Sequence, residues 1–238
     1  MAKPKLPSGI FLIFAVLISV FGMISLLMLL MQPFKAEFDF SSVRILIGSL
    51  YVAVCLLGVS AVFQPNKCQR SFVFRTTKRM QEEGDSKELF EMHFKGHHPS
   101  CENYAANRVE IRKTVLCASC AGLLIGAVAA IIGTLLYFFA GAISLPEDFK
   151  ILLISNLVML LGLFQFKLGG YLKLAMNALF VFSSFIILVM TDLLGGSLQL
   201  DSYSLCLIIF LLFTRITFSQ WNNRRICLKC NMCKLHRC

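Results

Sequence analysis

Charge is scarce in this chain, and negative charge is the scarcer kind. Charged residues make up 15% of the 238 residues, and only 13 are Asp or Glu, against 23 Lys or Arg. Soluble globular domains carry about 25% charged and about 45–50% apolar residues, whereas 57% of this chain is hydrophobic. The composition therefore argues against a disordered chain and against an ordinary cytosolic enzyme.

Several catalytic and transport motifs are also missing. The sequence has no Walker A motif, no Gly-x-Gly-x-x-Gly after a strand and no His-Glu-x-x-His. No ionisable residue lies in the middle of a long apolar stretch, where proton and ion pathways usually place one. These absences disfavour nucleotide-driven transport and zinc-protease chemistry, and we expect no catalytic activity of the chain's own.

Six apolar stretches approach the roughly 20 residues that a helix needs to cross a bilayer. They cover 9–31, 44–63, 116–143, 151–166, 172–194 and 200–218. The first is longer than the apolar core of a signal peptide, and no cleavage site of the Ala-x-Ala kind follows it. The sequence therefore predicts an all-α integral membrane protein with about six transmembrane helices.

The basic residues predict how these helices are oriented. Of the 23 Lys and Arg residues, 19 lie in the N-terminal tail, the 64–115 loop, the 167–173 turn and the C-terminal tail. The positive-inside rule then places both termini in the cytoplasm of a cell-membrane protein. The chain divides into a helix pair (1–63), a cytoplasmic Cys/His loop (64–115), a four-helix segment (116–218) and a cytoplasmic Cys-rich tail (219–238). Because topology explains the net charge of +10, we expect no nucleic-acid partner.

Cysteine and histidine cluster on this predicted cytoplasmic side, which holds eight of the ten cysteines and all four histidines. The other two, Cys55 and Cys206, lie within spans and are assigned to packing. Disulfides are rare in a reducing cytoplasm, so clustered cysteines there indicate metal or redox chemistry. Reduced free thiols and catalytic thiols are the alternatives.

A first metal site is predicted around the start of the third span. The sequence has two pairs of possible ligands, and two residues separate the members of each pair. Fifteen residues lie between the pairs, which is the spacing of tetrahedral zinc sites. We expect the polar stretch 102–115 between them to be compatible with a helix. The predicted ligands are His98, Cys101, Cys117 and Cys120, with Cys68 and His97 in reserve.

A second metal site is predicted in the tail. Three cysteines at two-residue spacing and a fourth further on are similar to a ferredoxin run, and zinc uses the same residue types. Zinc is favoured over an iron–sulfur cluster, and reactive or lipid-modified cysteines are the alternative. The residues are Cys227, Cys230, Cys233, His236 and Cys238.

Two further patterns concern the helices. Gly122 and Gly126 form a Gly-x-x-x-Gly pair, which predicts a face that a neighbouring helix approaches closely. Asn156, Gln165 and Asn177 are polar groups within spans. Hydrogen bonding between helices explains them, and the alternative is a polar transport cavity.

One stretch resembles a known family. The residues 116–126, Leu-Cys-Ala-Ser-Cys-Ala-Gly-Leu-Leu-Ile-Gly, are similar to the signature of an uncharacterised family of prokaryotic multi-pass membrane proteins. That family carries a Cys-His-Gln…Arg-Ser-Phe element upstream, which 68–72 matches without the His. The resemblance implies that Cys68, Cys117 and Cys120 act together, and it supplies no activity.

These observations lead to one functional expectation and two alternatives. We expect a multi-pass membrane protein with cytoplasmic zinc, serving as an accessory or scaffold subunit of a larger membrane complex. Its partners would be the lipid bilayer and a membrane protein or a second copy of the chain. The alternatives are an iron–sulfur electron-transfer subunit and a small-solute transporter.

Overall fold

A computed structural model of the chain describes residues 9–32, 41–63, 106–111, 114–143 and 146–229. These residues form six α-helices and one antiparallel hairpin. The helices are α1 (Gly9–Leu30), α2 (Ser41–Phe63), α3 (Ala118–Thr134), α4 (Phe149–Leu163), α5 (Gly170–Gly195) and α6 (Leu198–Lys229). The strands are β1 (Arg108–Ile111) and β2 (Thr114–Cys117), a π-helical segment (Leu135–Phe139) extends α3, and a 3-10 turn (Gln165–Lys167) follows α4.

Four of the helical stretches are long and apolar enough to cross a membrane. They are Gly9–Leu30, Ala118–Phe139, Gly170–Gly195 and Leu198–Asn222. The apolar parts of the remaining two helices, Arg44–Ser60 and Phe149–Leu163, are shorter. The chain is therefore a mostly helical protein suited to a lipid bilayer. The count of six spans and the cytoplasmic placement of the termini stay predictions.

Successive helices run in alternating directions, so α1, α3 and α5 begin at one end of the bundle and α2, α4 and α6 begin at the other. We call the first the thiol end, because Cys117 and Cys120 lie there at the start of α3. We call the second the carboxylate end, because Asp192 near the end of α5 and Asp201 near the start of α6 lie there. The two ends carry different chemistry.

Helix α5 is the centre of the bundle, and its closest neighbour is α3. A Cβ atom added at Gly126 would lie 2.5 Å from the carbonyl oxygen of Ala178, and one added at Gly122 would overlap the carbonyl of Leu174. Further along, Gly133 faces the ring of Phe185. The close-approach face predicted from the Gly-x-x-x-Gly pair is confirmed, because only glycine lets the two backbones come this near.

The stretch before α3 differs from its prediction. Residues 108–111 and 114–117 form a hairpin and not a helix, with Arg108 opposite Cys117 and Ile111 opposite Thr114. Val109, Ile111, Thr114 and Val115 are β-branched, and such residues favour strands over helices. The stretch 102–115, whose composition is compatible with a helix, is therefore extended where the structure describes β1 and β2, and α3 begins after Cys117 instead of at 116.

Substituting Gly126 with Ala tests the α3–α5 contact. Both G126A and the control G58A gain the same helix preference of roughly 0.5–1 kcal/mol, but Gly58 has nothing within 4 Å of an added Cβ. Overpacking at Gly126 should cost about 1–3 kcal/mol. We expect G126A to melt below wild type in detergent micelles and G58A to melt at or above it. Equal melting temperatures for the two variants would contradict the contact.

Candidate functional site

Two cysteine thiols lie together where β2 passes into α3. Cys117 is the last residue of β2 and the residue immediately before α3, with extended backbone angles (φ −71°, ψ 115°) and 7% of its surface exposed. Cys120 lies in the first turn of α3 and is half-buried, and no disulfide joins the two. The first turn of a helix has backbone N–H groups without intrahelical partners, and these favour negative charge nearby.

The surroundings of Cys117 favour its ionised form. The hydrogen bond from the Cys120 thiol is the largest influence and lowers the pKa of Cys117, and burial opposes it. The backbone N–H groups of Cys120 and Ser119 and the positive charge of Lys173 lower the pKa further, to about 6. Cys117 is therefore mainly a thiolate at neutral pH, which is the form of cysteine that binds metals and attacks electrophiles.

Helix α5 brings a buried lysine beside these thiols. Lys173 is 5% exposed and donates a hydrogen bond to the side-chain oxygen of Asn107, which immediately precedes β1. One turn later, the side chain of Asn177 donates to the carbonyl of Lys173. The hydroxyl of Tyr171 donates to the carbonyl of Glu110 at 2.7 Å. The hairpin and the residue before it are thus held against the start of α5 by Tyr171 and Lys173.

Helix α6 contributes a second buried cation. Arg215 is 3% exposed, and its guanidinium carbon lies 5.2 Å from the ring centroid of Phe180. With its amide oxygen turned toward Arg215, Gln165 accepts hydrogen bonds from Nε at 2.8 Å and from Nη2 at 3.0 Å, while its amide nitrogen donates to Asn177. This orientation satisfies both amide groups, so we adopt it. The network links α4, α5 and α6.

A small cleft, with room for about one water molecule, opens beside this network. Its mouth includes Phe166 and Phe218, whose rings stack with centroids 5.6 Å apart. The lining residues are Leu163, Gln165, Phe166, Lys173, Phe218, Ser219 and Asn222. The lining of the cleft therefore contains apolar side chains together with the amide and ammonium groups of the network.

The predicted metal ligands divide into two groups in the structure. Cys117 and Cys120 are brought together, and Cys227 lies on α6, although its side chain is not among those described. The remaining predicted ligands lie outside the described residues: Cys68, His97, His98, Cys101, Cys230, Cys233, His236 and Cys238. Within the described part of the chain, no group of three or more His, Cys, Asp or Glu side chains is placed to hold a metal ion.

The cysteines assigned to packing and the polar residues within spans also have defined places. Cys55 is buried in the bundle, whereas Cys206 is exposed on the surface of α6. Asn156 is 4% exposed and donates to the carbonyl of Leu152 in its own helix at 2.8 Å. Gln165 and Asn177 belong to the network around Lys173 and Arg215.

Sequence reasoning missed the two buried cations of this site. Lys173 was expected in a cytoplasmic turn, but α5 begins at Gly170, so Lys173 lies in its first turn and faces the protein. Arg215 lies toward the end of the predicted 200–218 span, and its local sequence does not indicate that it is buried. The available signal was spacing, since Lys173 and Asn177 stand four residues apart and so share one helix face.

Comparison of this chain with protein-family models, with curated proteins and with solved structures found no match. The site is therefore interpreted from its own geometry. It offers two adjacent sulfur donors, one of them a thiolate, beside two fixed positive charges.

Replacing Cys120 with Ala removes the thiol that donates to Cys117. The pKa of Cys117 should then rise from about 6 toward the ordinary 9.0. With bound metal removed by a chelator, the ultraviolet absorbance of the thiolate should titrate at higher pH in C120A than in wild type. C206A removes a remote cysteine and should leave the titration unchanged. A wild-type protein without a thiolate signal below pH 8 would contradict the assignment.

Proposed function

We propose that the chain is an integral protein of the cell membrane that binds zinc at its thiol end. In this proposal it acts as an accessory or scaffold subunit of a larger membrane complex, with the thiol end in the cytoplasm. Cys117 and Cys120 supply two ligands. The observation that carries the proposal is the adjacency of these two thiols beside a hairpin that returns the preceding chain to them.

The thiol pair suits a metal because zinc takes cysteine as thiolate. Cys117 has a pKa of about 6, so little free energy is needed to deprotonate it at neutral pH. Cys120 already contacts it, and a bound metal would replace their shared proton. The two-residue gap between them is the usual gap within one half of a structural zinc site.

The hairpin supports the other half of the predicted site. Arg108 pairs with Cys117, and Asn107 is bound to Lys173, so the chain that follows Cys101 arrives beside the thiols. An extended chain spans at most about 3.5 Å per residue, which leaves His98 and Cys101 within reach of the pair. Those two residues complete a Cys3His set in the proposal.

The buried cations are consistent with an anionic metal centre. Three thiolates and a neutral histidine around Zn²⁺ carry a net charge of −1, and four thiolates carry −2. A buried charge is stable only when it is paired. Lys173 and Arg215 lie close enough to influence the thiols electrostatically, and the described residues offer neither of them a carboxylate partner. A thiolate-rich centre would supply the missing negative charge.

The surroundings of the site support the proposed scaffold role. The cations make hydrogen bonds to Asn107 and Gln165, so they hold the hairpin and helices together. A metal that joins the 64–115 loop to α3 would fix the shape of one membrane face for a partner.

The iron–sulfur alternative depends on the tail and stays a prediction. For transport, Asn156 and Asn177 donate to backbone carbonyls of their own helices, and of the three polar residues Gln165 alone lines the cleft, so transport stays the second alternative.

Metal analysis of the full chain, purified anaerobically in detergent without chelator, tests the metal half of the proposal. We expect at least one zinc per chain, and we expect C117S, C120S and C101S each to lose one equivalent. C206S is the matched control and should retain the full amount. Folded wild-type protein without zinc would overturn the proposal, and iron with visible absorbance would favour the electron-transfer alternative.

The scaffold half has its own readout. After extraction in mild detergent, the chain should migrate on native gels as an assembly larger than a single copy. C117S should shift toward the single copy if the metal shapes the docking face, while C206S should not. A wild-type chain that migrates as a single copy under all mild conditions would contradict the scaffold role.

A further inference from the structure

The carboxylate end holds a polar cluster that the zinc proposal does not use. Asp192 is 7% exposed. Its Oδ2 atom accepts a hydrogen bond from the hydroxyl of Tyr137 at 2.7 Å. The same oxygen forms an ion pair with Arg44 Nε at 3.0 Å. The guanidinium carbon of Arg44 also lies 4.8 Å from the ring centroid of Tyr137. Asp192 thus has both a cation and a hydrogen-bond donor beside it.

Asp201, across the turn that joins α5 to α6, is in a different position. It is 0% exposed, and neither of its carboxylate oxygens has a hydrogen-bond partner among the described residues. The nearby hydroxyls are used elsewhere: Ser204 donates to the backbone carbonyl of Asp201 at 2.9 Å, and Ser197 accepts from the backbone N–H of Leu200 at 3.3 Å. The side chain is therefore a buried polar group without a local partner.

The charges facing Asp201 do not compensate it. Asp192 repels a second negative charge, and Arg44, the one nearby cation of the described chain, already pairs with Asp192. Tyr137 donates to Asp192, and Tyr203 donates to the carbonyl of Gly22 at 3.0 Å. Helix α1 has no ionisable side chain. Lys35, Glu37 and Asp39 belong to the segment 33–40, outside the described residues.

An ionised carboxylate in this setting is unfavourable. Moving an isolated charge out of water into a dry interior is strongly unfavourable, and such groups become neutral instead. A metal cation would need about six oxygen ligands, whereas the hydroxyls and carboxylate around Asp201 are already bonded to other groups. A proton needs only one oxygen.

We propose that Asp201 is a proton-binding site, occupied in the folded protein at neutral pH and coupled to the Arg44–Asp192 ion pair. Release of the proton to the aqueous phase at the carboxylate end converts the carboxylic acid into a carboxylate. Arg44 must then be shared between two carboxylates, one on α5 and one on α6. Binding and release therefore change how α2 is held against the α5–α6 hairpin. This inference is independent of the zinc site.

Infrared difference spectroscopy on the full chain in detergent, between neutral and alkaline pH, tests the proposal directly. We expect the carbonyl band of a protonated carboxylic acid at neutral pH, shifted in heavy water and lost at alkaline pH. The band should be absent from D201N and present in E147Q, which removes an exposed carboxyl at the same end. If D201N fails to fold, D201E keeps the acid and should show a displaced band.

Thermal stability across pH provides the second readout. In the unfolded chain an aspartate releases its proton near pH 4. The folded wild type keeps it, so wild-type stability falls as pH rises above that point. D201N has no proton to lose, so its melting temperature should match or exceed that of wild type at neutral pH, by a margin that grows on the alkaline side. E147Q should follow the wild-type curve.

Three results would overturn the proposal. In the first, the wild-type protein lacks the acid band and D201N is less stable than wild type at every pH. This result would mean that Asp201 is ionised and has a cationic partner. A second is the same loss of stability in K35M, which would identify Lys35 as that partner. The third is wild-type stability that rises with Na⁺ at constant ionic strength while D201N stays unchanged, which would replace the proton with a metal cation.

Discussion

The backbones of α3 and α5 lie in direct contact at Gly122 and Gly126, and Gly133 continues the contact against the ring of Phe185. Both ends of the molecule depend on this contact. In a lipid environment the hydrophobic effect does not drive helices together, so close packing of small residues supplies much of the association free energy. At the thiol end, the contact brings Lys173 of α5 beside the cysteines that begin α3. At the carboxylate end, it brings Tyr137 to Asp192.

A bilayer removes water as a partner for buried polar groups, so the protein has to supply partners itself. The charged side chains of the bundle have different partners. Arg44 and Asp192 pair with one another. Arg215 uses an amide oxygen and the face of an aromatic ring, and Lys173 uses the side chain of Asn107. Asp201 is the exception, because no described neighbour meets it.

Much of the helical framework was predictable, because the length of an apolar stretch shows whether a helix formed by it can cross a bilayer. The six predicted stretches each overlap one helix, and the Gly-x-x-x-Gly pair identified the face of α3 that packs on α5. The proximity of Cys117 and Cys120 was also predictable, because a two-residue gap is local. The burial and pairing of charged side chains were not predictable, because they depend on residues distant in the sequence. The burial of Lys173 requires Asn107, and the pairing of Arg44 requires Asp192.

The hairpin was missed for a related reason. Val109, Ile111, Thr114 and Val115 favour strands, but the charged residues among them also suit an exposed helix. Two short strands are stable only when they pair and pack, and this hairpin packs through the bond from Tyr171 to Glu110. That bond joins residues sixty-one positions apart, which no local pattern reveals.

The π-helical segment that ends the third span sets a limit on chain length. Its backbone bonds skip one residue more than those of an α-helix, as in the 3.0 Å bond from the N–H of Ala140 to the carbonyl of Leu135. A π-turn takes up one residue more than an α-turn, so this segment already absorbs one extra residue before the span ends. A further residue inserted before Tyr137 would rotate that side chain by about 100° and move it away from Asp192, whatever the inserted side chain is.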